Sequence, residues 1–260
     1  HALTITKAPI RSTVHRPALL DDLRVPAYAA DGKPHGEHRF VGLFTSTAYN
    51  ESPRDIPLLR AKLAEVLERS GLNPQSHRGK ALVNILETFP RDVMIQSSIS
   101  ELERIGVGIL NIEERRKIRL FVTESAYRDF YYCLVFLPRD GYSTATRARI
   151  EDFLSDSLKG ELVDSQVTIS ESSLARLSLT LRRHDPRKKP ADLGTLESEL
   201  VTLAMAWHDR ARLALIDALS EERALALNER FADGFPLTYQ ENATSDRIAR
   251  DFVVLGEMLD

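Results

Sequence analysis

Cysteine is almost missing from this sequence: Cys133 is the only one in 260 residues. A lone thiol cannot close an internal disulfide, and its isolation fits a reducing compartment, so a cytoplasmic location is the expectation. Long hydrophobic runs are missing too. No apolar stretch approaches the roughly 18–20 residues that a membrane-spanning helix needs, which excludes such a span and leaves no membrane partner to expect. Nor is there a surplus of either charge, since 35 Lys and Arg face 38 Asp and Glu for a formal net charge of −3. A dedicated nucleic-acid binder carries a strong basic surplus, so no nucleic-acid partner is expected. The chain opens on His1-Ala2-Leu3-Thr4-Ile5, without Met and without a basic segment leading into an apolar one. The expectation is a chain without a secretory signal, cut out of something longer.

What is present is an ordinary globular composition, 43% hydrophobic and 28% charged. At about 150 residues per domain, the length allows one large or two modest domains. Residues 1–50 read as strands and turns. Leu3 to Thr6 alternates in period two, and the turn cluster Asp31 to Gly36 separates Val25–Ala30 from Phe40–Phe44, which predicts an antiparallel hairpin. Three helices are predicted next. Ser52-Pro53 reads as the cap and first turn of one carrying Ile56, Leu59, Leu63 and Leu67, closed by Gly71. Another runs from about Ser76 to Thr88 before Pro90, and a third opens with the capping box Ser98/Glu101. Residues 115–183 change character: a strand at Lys117–Val122, a turn at Ser125–Asp129, and a continuous apolar run at Phe130–Leu137, the pattern of a strand covered on both faces. A helix capped by Ser143 and ended by Gly160 follows, then two strands. In the second of these, Leu177, Leu179 and Leu181 alternate with polar residues, so one face is buried and one wet. The order β-β-α-β-β predicts a helix packed on an antiparallel sheet, an α+β class. Arg182 to Pro190 reads as a basic linker, and beyond it one helix is predicted over Asp192–Leu219, about 42 Å if unbroken, then helices near Glu221–Phe231 and Ser245–Leu259. Residues 191–260 hold 14 acidic against 6 basic residues, so this part nets −8 and residues 1–190 net +5. That asymmetry suits docking between oppositely charged surfaces, and equally a solvated acidic helix face.

Motifs that carry chemistry are scarce. His35, Glu37 and His38 invite a metal reading, yet zinc needs three or four convergent ligands and no HExxH or Cys pair completes the set. Gly106-Val107-Gly108 lacks the third glycine of a dinucleotide loop and continues a helical pattern, so close helix packing is the simpler expectation. Cys133, mid-strand, reads as a small buried hydrophobe. Asp140, Asp152, Asp156 and Asp164 show no pairing that would fix a general acid and base, and Ser170–Ser173 reads as a turn between strands. Phe130, Tyr131 and Tyr132 could stack on bases as in an RNA-recognition sheet, with Arg182–Lys189 on phosphates, although sheet aromatics are more often core.

A resemblance says more. Phe40-Val41-Gly42-Leu43-Phe44-Thr45-Ser46-Thr47-Ala48-Tyr49-Asn50 is followed by Ser52-Pro53-Arg54-Asp55-Ile56-Pro57 and by Asn84-Ile85-Leu86-Glu87-Thr88-Phe89-Pro90-Arg91-Asp92. Farther on come Cys133-Leu134-Val135-Phe136-Leu137-Pro138-Arg139-Asp140 and Ser170-Glu171-Ser172-Ser173-Leu174-Ala175-Arg176. In this order they resemble the long N-terminal region of the large bacterial NAD-specific glutamate dehydrogenases. The resemblance implies an ACT-like (ferredoxin-like) domain at 115–183, whose β-β-α-β-β order departs from a complete ACT order of βαββαβ. Around it stand a strand-rich segment at 1–50 belonging to a module completed upstream, a helical motif at 51–114, a linker at 184–191 and a second helical motif at 192–260. It implies a parent that oxidatively deaminates L-glutamate to 2-oxoglutarate and ammonium with NAD, in a catalytic domain elsewhere. No catalytic, cofactor-binding or metal residue is therefore expected in this chain. The partners it implies are the other domains and subunits of a homo-oligomer and an amino-acid effector, since ACT modules commonly bind amino acids. The competing expectations are a stand-alone metal-dependent hydrolase built on His35, Glu37 and His38, and an RNA-binding α+β module.

Overall fold

A computed structural model describes residues 3–14, 17–113, 118–169, 173–188 and 191–259. The first sheet is three antiparallel strands in the order β1-β2-β3: β1 (Thr4–Arg11), β2 (Leu19–Tyr28) and β3 (Pro34–Gly42). The expected hairpin is β2–β3, turning at Gly32, whose φ of +79° is the left-handed conformation that glycine adopts cheaply.

The helical segment that follows contains α1 (Ser46–Asn50), α2 (Pro57–Arg69), α3 (His77–Glu87), α4 (Arg91–Gln96) and α5 (Ile99–Glu113). Ser52-Pro53 makes a turn instead of a helix cap, and Pro57 is the proline in the first helical turn. The other two caps are as the sequence predicts: Ser76 Oγ accepts from Gly79 N at 3.0 Å, and Glu101 Oε2 accepts from Ser98 N at 2.8 Å. The short α4, between Pro90 and Ser97, is closed by a side chain from elsewhere. Lys62 donates to the carbonyls of Met94, Ile95 and Ser97 at 2.7–3.1 Å, supplying donors to acceptors that a helix end leaves free.

The second sheet holds β4 (Arg119–Glu124), β5 (Phe130–Pro138), β6 (Gly160–Ile169) and β7 (Leu174–Arg183), with α6 (Thr144–Leu158) between β5 and β6. Ser143 caps α6 by accepting from Thr146 N, while Lys159 in the left-handed region, not Gly160, ends it; Gly160 already belongs to β6. The start of the predicted strand at Lys117 and the turn at Ser170–Ser172 lie outside the described residues. All pairings are antiparallel and the spatial order is β4-β5-β7-β6. β5 is buried along Phe130–Leu137 because its two faces enter two cores. Tyr131, Cys133, Val135 and Leu137 pack with Ile150, Leu154 and Leu158 of α6, whereas Phe130, Tyr132, Leu134 and Phe136 pack toward the helical segment.

The helix expected over Asp192–Leu219 is two helices, α7 (Leu193–Leu203) and α8 (Trp207–Ala218), parted at Ala204–Ala206. Tertiary packing breaks it. Leu196, Leu200 and Ala204 join the core between the second sheet and α6, while Trp207 starts a separate core with α8, α9 (Glu221–Phe231), α10 (Leu237–Asn242) and α11 (Ser245–Leu259). That α7 lies beside α6 resolves the irregular strand order. With β4 moved from first place to last, β5-α6-β6-β7-α7-β4 reads βαββαβ, and the spatial order is that of a ferredoxin-like sheet. The module is complete, and its strand order is circularly permuted.

Candidate functional site

The motifs that stood out in the sequence are put to structural use. On β3, His35 and His38 are both exposed, and His35 falls at the bulge where the register with β2 shifts between Gly36 and Pro34. Glu37 is 3.5 Å from the Arg24 guanidinium. Among the described residues no group of His, Cys, Asp and Glu converges on a metal. Cys133 is fully buried, and burial pushes its thiol up to about 12, far from a reactive thiolate. Phe130, Tyr131 and Tyr132 are at most 2% exposed, so no base can stack on them. Arg182 pairs with Glu161, and Arg183 sits 3.2 Å from Glu124 with its guanidinium 4.5 Å from the Tyr131 ring centre.

Gly106 and Gly108 lie inside α5 and not at a strand-to-helix turn, so they do not fit a seat for the NAD pyrophosphate. They are contact points. A Cβ on Gly106 would come within 2.9 Å of Leu82, and one on Gly108 within 2.7 Å of the Phe121 ring on β4. Gly108 is thus where the helical segment meets the second sheet. Gly108→Val is expected to cost about 1–3 kcal/mol through overpacking, read as a lower thermal midpoint; an unchanged midpoint would contradict this contact.

The chemistry-bearing groups collect in a cleft of about 620 Å³ between the first sheet, the helical segment and the second sheet. Its floor is the wet face of β7 and its neighbour β6, carrying Arg176, Ser178 and Thr180 beside Asp164 and Gln166. The alternation of β7 makes that face, and nothing in β7 itself says what stands over it. One wall is the stretch from Glu87 to Val93 that joins α3 to α4, and another is Lys7, Arg11 and Leu19 of β1 and β2. Arg11 crosses to the second sheet, donating to Val163 O at 2.6 Å, and Arg176 crosses back to Thr88 O at 2.9 Å.

At the inner end lies an ionic hub. The buried Lys7 ammonium touches Asp21 at 2.7 Å and Asp92 at 2.8 Å; Tyr49 donates to Asp92 at 3.0 Å and Phe44 N to Asp21 at 3.3 Å. Burial alone would lower Lys7, but Asp92 and Asp21 outweigh it and hold the ammonium above its ordinary range. Burial pulls Asp21 above the usual carboxylate range, while Lys7 and the Phe44 amide act against that pull. Next to the hub, the Tyr132 hydroxyl is buried without a hydrogen-bond partner among the described residues; burial, then Asp92, Asp21 and Tyr49, push its pKa up. Arg91 and Arg176 donate only to carbonyls and a threonine hydroxyl among their described bonds, and the Nε of each is buried and unpaired.

A second charge cluster holds the first sheet in register. The Asp22 carboxylate, 2% exposed, takes hydrogen bonds from Arg39 at 2.7 and 2.8 Å and from Arg24 at 2.8 and 3.1 Å. The Arg39 bonds, with Arg24 adding and burial opposing, hold Asp22 below the usual carboxylate range. A depressed pKa contributes stability above the unfolded value, near 3.9, and loses it as pH falls through the folded value. Asp22→Asn is therefore expected to be less stable than wild type by about 2 kcal/mol at pH 7, with the gap closing toward pH 3 in urea titrations. A gap independent of pH would contradict it.

A permuted βαββαβ sheet, with both helices on one face and a bundle of helices on the other, defines an ACT-type domain set between helical motifs. Comparison with known proteins agrees. Residues 119–208 match the family model "Glutamate dehydrogenase, ACT2 domain", residues 56–115 match "Glutamate dehydrogenase, helical motif 1", and residues 214–247 match "Glutamate dehydrogenase, helical motif 2". The chain is 40% identical to the NAD-specific glutamate dehydrogenase of Halomonas elongata and 38% identical to that of Pseudomonas aeruginosa, over 98% and 97% of its length. The protein of that name from Mycobacterium tuberculosis is 28% identical over 86% of the chain. The chain belongs to the NAD-specific glutamate dehydrogenase family. It spans 14–16% of the length of these relatives.

Proposed function

We propose that this chain is a non-catalytic regulatory and assembly segment from the N-terminal region of an NAD-specific glutamate dehydrogenase. The parent reaction is the oxidative deamination of L-glutamate to 2-oxoglutarate and ammonium, with the hydride passing to NAD. The observation that carries this reading is the mismatch of coverage: nearly all of the chain aligns, yet it takes up only 16% of the Halomonas relative. The aligned part is built of an ACT domain and helical motifs. Residues 1–50, 51–114, 115–183, 184–191 and 192–260 are its working divisions, with α7 packed onto the ACT sheet as its second helix. Its partners are the other domains and subunits of a cytoplasmic homo-oligomer, together with an amino-acid effector. The effector and the subunit contacts act through a coupling free energy on a distant active site, typically about 1–3 kcal/mol.

Cofactor binding separates this reading from an enzyme complete in itself. Titration with NADH, followed by nucleotide fluorescence, is expected to saturate with the full-length gene product and to show no saturation with residues 1–260 alone. Tight, saturable binding by the isolated chain would overturn the assignment.

A further inference from the structure

We infer that the outer edge of β3 is a self-association surface, on which two copies of this chain pair β3 with β3 antiparallel about a two-fold axis at His38. Two three-stranded sheets then become one continuous sheet. Every residue of β3 is exposed, and in the order β1-β2-β3 nothing among the described residues pairs with its outer side. The strand is nine residues long, and its Phe40 and Val41 are 60% and 47% exposed. Soluble proteins usually blunt such an edge with lysine, a central proline or shortness, because its free N–H and C=O groups invite another strand. β3 has no lysine. Its one proline, Pro34, stands at the first position and its bulge lies at the same end, ahead of Gly36, so the rest of the edge is open.

Charge along the edge selects both the occupant and the register. Antiparallel pairing centred on His38 sets Glu37 opposite Arg39 of the second copy and Gly36 opposite its Phe40, each twice by symmetry. Opposite charges facing across such a pair stabilise it, and like charges destabilise it. Moving the axis to either neighbouring residue puts Glu37 against Glu37 or Arg39 against Arg39, so the His38 register is favoured. Both charges are within reach. Asp22 holds Arg39 through Nε and Nη2, and Arg39 Nη1 makes no described bond. Glu37, with its side chain 47% exposed, has one described contact, Oε1 at 3.5 Å from Arg24. Where Gly36 lacks a Cβ the space is open to 4 Å, and Phe40 of the second copy covers it, as aromatic residues do over edge glycines. A second copy fits this edge because one short stretch supplies both members of each pair. The inference rests on the reading of this chain as an assembly segment, and names the strand through which copies meet.

Disulfide trapping in the full-length gene product carrying His38→Cys tests this. Residues directly opposite in an antiparallel pair have Cα atoms about 4.5–5.5 Å apart, inside the window that a disulfide spans. Mild oxidation of His38→Cys is therefore expected to give a covalent dimer, with the linkage between the two introduced cysteines recovered by peptide mass spectrometry. Glu37→Cys lies on the diagonal, about 7–8 Å from its copy, and is expected to stay unlinked. Cys133 is fully buried and contributes no link. Adding Phe40→Lys or Glu37→Lys to His38→Cys should cut the yield about tenfold, since each loss counts twice across the axis. All these positions are exposed on β3, so the variants are expected to fold. No linkage at His38→Cys would overturn the inference, and is the result expected if a strand from elsewhere in the parent covers β3. Equal linkage through Glu37→Cys, or a yield unmoved by Phe40→Lys and Glu37→Lys, would mark random collision of exposed thiols and overturn it too. None of these results touches the NADH comparison, so the two readings fail separately.

Discussion

Lys7→Met is expected to destabilise the protein by about 3–5 kcal/mol, the cost of leaving a buried carboxylate without its counter-charge. Lys7 is 7% exposed and Asp21 1% exposed, and the ammonium stands between Asp21 on β2 and Asp92 on α4. Removing it strands Asp21 against low-dielectric surroundings, with the Phe44 amide its one remaining hydrogen bond among the described residues. The effect reaches beyond the first sheet, because Asp92 and Tyr49 bring α4 and α1 to the same hub. Unfolding by urea reads the loss directly. The mechanism is read by Asp21→Asn in the Lys7→Met background: with the unpaired charge gone, the double variant should be more stable than Lys7→Met alone. A Lys7→Met loss below about 1 kcal/mol, the size of an exposed ion pair, would show that the hub is solvated and not a buried anchor.

Phe252→Ala should cost about 3–5 kcal/mol in the C-terminal helices, the range for truncating a buried aromatic. Phe252 is fully buried on α11, stacked on Phe235 with ring centres 4.7 Å apart and 6.2 Å from Trp207. Trp207 in turn donates from its indole N–H to Ala232 O at 2.8 Å, so the three rings fasten α8, α9 and α11 into one core. Among the described residues, that core shares no buried residue with the two cores around the ACT sheet. The loss should therefore be local. Hydrogen exchange is expected to quicken in α8, α9 and α11 while the amides of β5 keep their protection. Equal loss of protection in β5 would contradict an independently packed C-terminal unit.

Much of this fold was legible because the signals were local. Ser76, Ser98 and Ser143 cap their helices as their spacing predicts, and the unbroken apolar run of β5 announces a strand between two cores. Where a distant contact decides, the local signal misleads. The helical period runs smoothly from Leu196 to Trp207, yet those two residues serve different cores, so the helix breaks between them. The short α4 carries no cap of its own and is closed by Lys62 from another helix. Pro53 and Pro57 are both suited to a first helical turn, and only Pro57 is used.

The cleft was not legible. It draws Lys7, Arg91, Tyr132 and Arg176 from four separate elements, and no spacing in the sequence links them. Tyr132 looked like one more core aromatic, and the polar face of β7 like plain solvent exposure. The one usable signal was that β7 alternates while its neighbour β5 does not. A polar face on a strand beside one buried on both sides faces either water or a polar neighbour. By contrast, the eye-catching Gly106-Val107-Gly108 is explained by packing, and His35 and His38 lie on the exposed strand β3.

The most direct measurement is the rate of NAD reduction with L-glutamate, taken on residues 1–260 and on the full-length gene product under the same conditions. The full-length protein is expected to turn over and the isolated chain to show no rate above buffer. Turnover by residues 1–260 alone, or a silent full-length protein, would contradict the assignment of this chain as the regulatory part of a glutamate dehydrogenase.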